Sequence, residues 1–187
     1  MSWQHDMHKL SAGDFLFVLS FSQIVTEEKL ALFRHNLVVH ASDLPKGRGM
    51  SPWTWQIIEG KNQIPIVLFE ADTELDQGNI YLSDTLDFDG TELVVELRQQ
   101  VVDKTIKLCS EFIRGYPDIV SHGKVQSGDA SYYRRRNPED SRLSVDKTIR
   151  EQFNLLRVVD NKKYPAFFDF NGHRYVLSIN KLENMEE

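Results

Sequence analysis

The chain has 187 residues, of which 41% are hydrophobic, and its 22 lysines and arginines against 28 aspartates and glutamates give a formal net charge of -6. This length and apolar content suit one domain with a real core and a small appendage, whereas the negative charge argues against general polyanion binding. The single cysteine, Cys109, leaves no internal disulfide or multi-cysteine metal site and favours a reducing compartment. Because no apolar run approaches the ~20 residues of a membrane span and the N-terminus lacks a signal core, we expect a cytoplasmic protein without membrane or nucleic-acid partners.

Apolar runs and helix-capping residues divide the chain into strands and helices. Predicted strands are short runs rich in β-branched or aromatic residues, and predicted helices have N-caps, apolar stripes at helical spacing or terminal glycines. In chain order we predict strand 15–19, a helix capped by Thr26, strand 37–40, a helix from Ser51 to Gly60, strands 64–69 and 80–86, helices 92–114 and 146–159, and a hairpin at 165–179 around Asn171-Gly172. This order predicts an α/β fold that opens with a right-handed β-α-β unit.

The stretch from residue 36 to residue 60 is the most informative part of the sequence. A β-branched run ends at His40 and is followed by a glycine-rich polar loop, which places the histidine where open α/β sheets bind ligands. A lone histidine there is more often structural than catalytic. If strand 64–69 lies beside strand 37–40 and both following loops open on one edge, Asp76 comes within reach of His40. A carboxylate can orient an imidazole and stabilise its protonated form, which suits proton transfer.

Three runs of sequence resemble a known family. HASDLPKGRGMSPWTWQIIEG at 40–60 and LDQGNIY at 75–81 are similar to the folate-dependent formyltransferases, which include methionyl-tRNA formyltransferase, glycinamide ribonucleotide transformylase and the sugar N-formyltransferases. The run RRRNPEDSRLSVDKTIREQFNLLRVVDNKKYPAFF at 134–168 resembles the segment that follows the catalytic domain in the sugar enzymes. The resemblance covers roughly residues 13–177.

The resemblance implies a fold and a domain division. It implies a Rossmann-like, mostly parallel sheet of the formyltransferase type, N-terminally short, with a C-terminal helix and β-hairpin. Only about a dozen residues precede the first predicted strand, where family members have a further strand and helix. We divide the chain into a formyltransferase-like catalytic domain at 1–117 and an extension of connector, helix and hairpin at 118–187.

The resemblance also implies the chemistry and its residues. In the family, an amine of the acceptor attacks the formyl carbon of 10-formyltetrahydrofolate, and an oxyanion develops. By match, His40 would hydrogen-bond or protonate that centre, and Asp76 would tune the histidine and help carry the amine proton. The residues expected to hold the folate are Ser20, Phe21, Ser22, Gln23, Ile24 and Leu75. The residues expected to bind the acceptor are Ser42, Lys46, Arg48 and Trp53.

One position departs from the family pattern. The family's catalytic asparagine lies two residues before the histidine, and this position holds Val38, which cannot donate a hydrogen bond. Asn36, two residues further back on the same strand face, and Ser42, just beyond His40, could substitute. We therefore place Asn36 with His40 and Asp76 in the expected catalytic group.

We expect formyl transfer to the amine of an amino sugar, a small molecule that is linked to a nucleotide. A methionyl-tRNA substrate is the alternative, although a separate basic C-terminal domain would be expected for it. A non-catalytic folate- or nucleotide-sugar-binding relative and a hydrolase of formylfolate also stay open, as does a homodimer. Lys46 and Arg48 are expected at the cleft mouth, where an acceptor phosphate could dock; equally, they could only solvate a loop. No metal site is expected.

Overall fold

The computed structural model describes residues 4–21, 25–71 and 76–182. The strands in chain order are β1 (Gly13–Val18), β2 (Phe33–His40), β3 (Arg48–Gly49), β4 (Gln63–Glu70), β5 (Ile80–Asp87), β6 (Tyr132–Tyr133), β7 (Ala166–Phe170) and β8 (His173–Leu177). The helices are α1 (Glu27–Leu30), α2 (Pro52–Ile58), α3 (Val94–Gly115), α4 (Asp118–Ser121) and α5 (Ile149–Val158), with 3-10 turns at Met7–Lys9 and Pro138–Ser141. The predicted Rossmann-like α/β fold with a C-terminal helix and β-hairpin is confirmed.

The main sheet has the strand order β1-β2-β4-β5. β1 runs parallel to β2, with Val18 beside Val38, whereas β4 runs antiparallel to β2, with Val67 beside His40, and β5 runs antiparallel to β4. The expectation that the loops after β2 and β4 open on one edge is therefore wrong. β4 begins beyond the His40 end of β2 and ends at Glu70, which pairs with Leu37. The chain consequently enters β4 from the His40 end.

The core lies between this sheet and α3, whose 22 residues make it the longest helix of the described chain. Leu97, Leu108 and Phe112 on α3 are at most 1% exposed and pack with buried residues of the strands, among them Leu37 and Ile66. The thiol of Cys109 lies in the same core, and burial raises its pKa to about 11. The thiol is therefore protonated and unreactive near neutral pH, as its place beside the apolar stripe predicts.

The C-terminal part packs through α5 and its hairpin. The turn predicted at Asn171-Gly172 is confirmed: both residues have positive φ, 49° and 80°, as a type I′ turn requires. Arg157 on α5 is only 1% exposed, and its Nη2 lies 2.9 Å from an oxygen of Glu92, just before α3. This ion pair joins α5 to the start of α3. The boundary proposed at residue 117 stays a prediction. Across the described ranges, no helix is long and apolar enough to cross a membrane.

Candidate active site

His40 ends β2 and is 7% exposed. Its Nε2 lies 2.8 Å from the carbonyl oxygen of Gly47. Because a carbonyl oxygen can only accept, Nε2 carries a proton and donates it to this hydrogen bond. In the neutral ring, Nδ1 is therefore the unprotonated nitrogen with a free lone pair.

Asp76 faces that free nitrogen. Its Oδ2 lies 3.9 Å from Nδ1 of His40 and accepts a hydrogen bond of 2.9 Å from the backbone N–H of Gly49. The predicted proximity of His40 and Asp76 is thus confirmed, although β4 runs in the opposite direction to the one that the prediction assumed. Asp76 has a φ of 54°, in the left-handed region where a non-glycine residue is uncommon.

The pair is arranged to accept a proton at Nδ1. A separation of 3.9 Å is too long for a hydrogen bond, and in the neutral state an unprotonated nitrogen faces a carboxylate. Protonation of Nδ1 would convert this contact into an attraction between an imidazolium and a carboxylate. Both side chains are at most 10% exposed, so the attraction is weakly screened by solvent.

Two glycines fix the loop that holds the pair. Gly47 and Gly49 have φ of 73° and 96°, and a Cβ on Gly49 would lie 2.4 Å from the carbonyl oxygen of Tyr133. Glycine is therefore required for β3 to pair closely with β6. This pairing positions the Gly47 carbonyl for His40 and the Gly49 N–H for Asp76.

Gln126 is a site residue that sequence reasoning missed. Its Nε2 donates to the carbonyl oxygens of Asp76 at 2.8 Å and Gly78 at 3.0 Å, and its Oε1 accepts from the Arg48 guanidinium at 2.7 Å. Gln126 therefore ties β3 to the backbone of Asp76. It lies in a polar connector without a motif of its own, and no local pattern pointed to this role.

The predicted acceptor-binding residues separate into buried and exposed groups. Arg48 is 7% exposed, and its bond to Gln126 directs it inward, so its expected place at the cleft mouth is wrong. Ser42 is 1% exposed and lies against Gly47, with no partner for its hydroxyl among the described residues. Trp53 packs against the main core. Lys46, by contrast, is exposed.

Lys46 lines a cavity of about 380 Å³ next to the His40 loop. Gly47, whose carbonyl oxygen accepts from His40, also lines it, together with Lys61, Ser131 and Tyr133. Two lysines, one aspartate (Asp43) and an aromatic ring thus line one cavity, which a single peptide group separates from the histidine, and its cationic side chains outnumber its anionic one. This arrangement can hold an anionic group.

Asn36 is not brought together with His40. Its Nδ2 donates to the carbonyl oxygen of Leu30 at 3.1 Å. It lies four positions before His40 along β2, which corresponds to about 13 Å. The expectation that Asn36 replaces the family asparagine is therefore wrong, because its donor is already bonded to α1.

The loop expected to hold folate begins at the same sheet edge as His40. The register of β1 and β2 pairs Val18, the last residue of β1, with Val38, so the chain leaves β1 towards the His40 end of β2. Ser20 has a φ of 51°, and Phe21 follows it. The other four expected folate residues, Ser22, Gln23, Ile24 and Leu75, lie outside the described residues. The unpartnered buried hydroxyl of Ser42 and the Ser20 edge both fit a polar co-substrate beside His40. Within the described ranges, no cluster of three or more His, Cys, Asp or Glu side chains could hold a metal ion.

Comparison with known proteins assigns the chain to a family. A family profile described as formyl transferase matches residues 3–113, which is more than half of the 187 residues. The chain therefore belongs to the formyl transferase family. This confirms the family that its motifs resemble.

Individual relatives support the same fold. Methionyl-tRNA formyltransferase of Caldicellulosiruptor saccharolyticus is 26% identical over 176 residues, which are 91% of this chain and 56% of that protein. This chain thus spans little more than half the length of that relative. The solved methionyl-tRNA formyltransferase from Clostridium thermocellum matches with a TM-score of 0.67 and 26% identity, over 91% of this chain and 74% of that one.

Two further solved structures share the fold. A sugar N-formyltransferase from a Shewanella species matches with a TM-score of 0.70 and 16% identity, over 91% of this chain and 71% of that one. HypX from Aquifex aeolicus, in complex with tetrahydrofolic acid, matches with a TM-score of 0.65 and 17% identity, over 86% of this chain and 28% of that one. At these identities the likeness concerns the fold alone, which is of the formyltransferase type.

Proposed function

We propose that the chain transfers a formyl group from 10-formyltetrahydrofolate to the amine of an amino sugar that is linked to a nucleotide. The single observation that carries this proposal is the buried pair of His40 and Asp76, with Nδ1 free to accept a proton 3.9 Å from the carboxylate. Membership of the formyl transferase family supports the reaction class, and the complex of HypX with tetrahydrofolic acid supports a folate co-substrate.

The protein's part in this reaction is to move a proton. When bound, 10-formyltetrahydrofolate supplies the formyl group, and tetrahydrofolate leaves. The acceptor amine must lose a proton as its nitrogen bonds to the formyl carbon, and His40 takes it at Nδ1. Asp76 stabilises the resulting imidazolium, and the Gly47 carbonyl holds the ring in place through Nε2–H. His40 then returns the proton to the nitrogen of the leaving group.

The acceptor's phosphate group is proposed to bind in the cavity lined by Lys46 and Lys61. Both lysines are exposed, Lys61 lies 3.4 Å from a carboxylate oxygen of Glu59, and their ammonium groups suit phosphate oxygens as point charges. Tyr133 lines the same cavity and offers an aromatic surface to a base or sugar. The sugar N-formyltransferase among the structural neighbours supports this acceptor class.

A tRNA acceptor is a second candidate. It is favoured by the two methionyl-tRNA formyltransferases at 26% identity. The formal charge of -6 argues against it, because tRNA binding rests largely on phosphate contacts with lysine and arginine.

The two candidates are separated by an acceptor panel. Purified protein with 10-formyltetrahydrofolate is incubated with nucleotide-linked amino sugars, with the same nucleotides bearing sugars without an amine, with initiator methionyl-tRNA, or with no acceptor. Formylated product and free formate are measured by mass spectrometry. Formylation of an amino sugar alone supports the proposal. Formylation of methionyl-tRNA alone, release of formate without acceptor, or folate binding without turnover would each contradict it.

A further inference from the structure

An exposed apolar stripe runs along α3. Val95, Val102, Ile106 and Ile113 are 73%, 47%, 52% and 40% exposed. At about 100° per residue, all four lie within about 20° of one line along the helix, over about 27 Å. Scattered apolar residues are normal on a protein surface, but a continuous line of this length indicates a contact surface. None of the residues in the described ranges covers the stripe.

The spacing of this stripe is self-complementary. Its residues are spaced symmetrically about Lys104, which lies at the middle of α3. If two copies of α3 pack antiparallel across this centre, Val95 faces Ile113 of the second copy and Val102 faces Ile106. An isologous contact has this property, because one patch must match itself after a two-fold rotation.

The charges beside the stripe have the same symmetry. On one flank of α3, Glu96 and Asp103 precede the centre, and Lys107 and Arg114 follow it. A two-fold axis brings this flank against itself, so that Glu96 lies near Arg114 of the second copy, and Asp103 near Lys107. Because each Cβ tilts towards its own helix N-terminus, these opposite charges converge, whereas the two copies of Asp103 point away from each other.

These charges set orientation more than affinity. Glu96 also binds Lys181 at 2.9 Å, and Lys107 binds Asp84 at 2.8 Å. Rim charges with other partners contribute little to binding energy but disfavour mismatched arrangements. The apolar stripe supplies the attraction, and the flank selects the antiparallel arrangement.

We infer that this protein forms a homodimer in which two copies of α3 pack antiparallel through the stripe. The occupant of the stripe is a second copy of the chain, because both the apolar spacing and the flanking charges match their own two-fold image. This inference does not depend on the proposed reaction.

The first test is the oligomeric state, measured by sedimentation equilibrium for the full chain and for Ile106→Glu. We expect a dimer at micromolar concentration and a rise of at least about tenfold in the dissociation constant of the variant, because a charge would be buried in the seam. Ile149→Glu is the matched control, since Ile149 is 62% exposed on α5, outside the stripe. Circular dichroism melting checks that both variants fold.

The second test fixes the direction of the helices. Val95→Cys and Ile113→Cys are made separately, mixed and treated with a short bismaleimide. The antiparallel arrangement predicts cross-linked product in the mixture and none from either variant alone, because like positions are about 27 Å apart. A monomer at all concentrations, equal effects of Ile106→Glu and Ile149→Glu, or cross-linking of the single variants would each overturn the inference.

Discussion

His40 is held on one side by a carbonyl oxygen and faced on the other by a carboxylate. The Gly47 carbonyl accepts from Nε2, so Nε2 carries the proton of the neutral ring. The Asp76 carboxylate faces Nδ1, so a second proton would be stabilised at Nδ1. In the proposed reaction the two nitrogens have separate roles: Nε2 orients the ring, and Nδ1 exchanges a proton. Position 38, where the family resemblance implies a catalytic asparagine, holds valine. The side-chain amide is therefore missing at this position.

Restoring that amide should raise activity. Val38 lies on the same strand face as His40, so Val38→Asn is expected to increase kcat by up to about 10²–10³-fold, the usual worth of one oxyanion donor. Because Val38 packs with Leu44, Val67 and Phe69, the change should also lower the free energy of unfolding by about 1–3 kcal/mol. Formyl-transfer kinetics and urea unfolding measure both effects.

Val39→Asn is the matched control, because Val39 packs against the main core on the other face of β2. It should destabilise the protein without raising kcat. An unchanged kcat for Val38→Asn, at full folding, would mean that the missing amide does not limit the reaction.

Gln126 is expected to act by positioning Asp76. Gln126→Glu keeps the size of the side chain and an acceptor for Arg48 but removes the donor to the carbonyl oxygens of Asp76 and Gly78. We expect kcat to fall by about 10–100-fold from misplacement of Asp76, with little change in the KM of the acceptor. Gln99→Glu on the exposed face of α3 should leave both constants unchanged. Equal kcat in the two variants would refute the positioning role.

The sequence predicted the two central residues but not their support. His40 and Asp76 stand in motifs of contiguous residues, which can be recognised along the chain. The contacts of Gln126 join residues 48 and 50 positions apart, so they exist only after folding. Arg48 and Asn36 were misplaced for the same reason: Arg48 donates to Gln126 and Asn36 donates to Leu30, and neither contact leaves a local pattern.

At the scale of elements, the positions of the strands followed from composition, whereas the direction of β4 did not. Runs such as 64–69 are apolar enough to be strands whichever way they run. The connection between β2 and β4, residues 41–62, is long enough for either direction, so the direction is visible only in the folded register. The hairpin at Asn171-Gly172 was predictable because its turn geometry demands two positive φ values, which asparagine and glycine tolerate.

The ion pair between Arg157 and Glu92 should contribute strongly to the joining of α5 to α3. Arg157→Leu would leave the Glu92 carboxylate buried without its charged partner, so we expect the free energy of unfolding to fall by about 3–5 kcal/mol. Arg98→Leu removes the more exposed pair with Asp160 and should cost less than about 1 kcal/mol. Urea denaturation of both variants measures the difference. Similar losses in the two would show that the buried pair has no special role.

At the scale of the whole molecule, net charge bears on the choice of acceptor. With a formal charge of -6, we expect no tRNA binding at micromolar concentration and physiological salt, because few phosphate contacts would survive. The three consecutive arginines 134–136 do not alter this expectation: Arg134 pairs with Asp140 and lies over Trp55, and Arg136 bonds to Val158. A titration with initiator tRNA at several salt concentrations measures it, and micromolar or tighter affinity would contradict it.

The most direct measurement is the rate of formyl transfer to an amino-sugar acceptor by the wild-type protein and by His40→Gln. Glutamine can still donate to the Gly47 carbonyl, so the loop should stay in place, but it cannot accept the amine proton. We predict a fall in kcat of at least about 10²-fold, with unchanged melting temperature, while His122→Gln at the end of α4, where His122 is exposed, keeps the wild-type rate. An active wild-type protein whose rate survives His40→Gln would contradict the role of this histidine in the reaction.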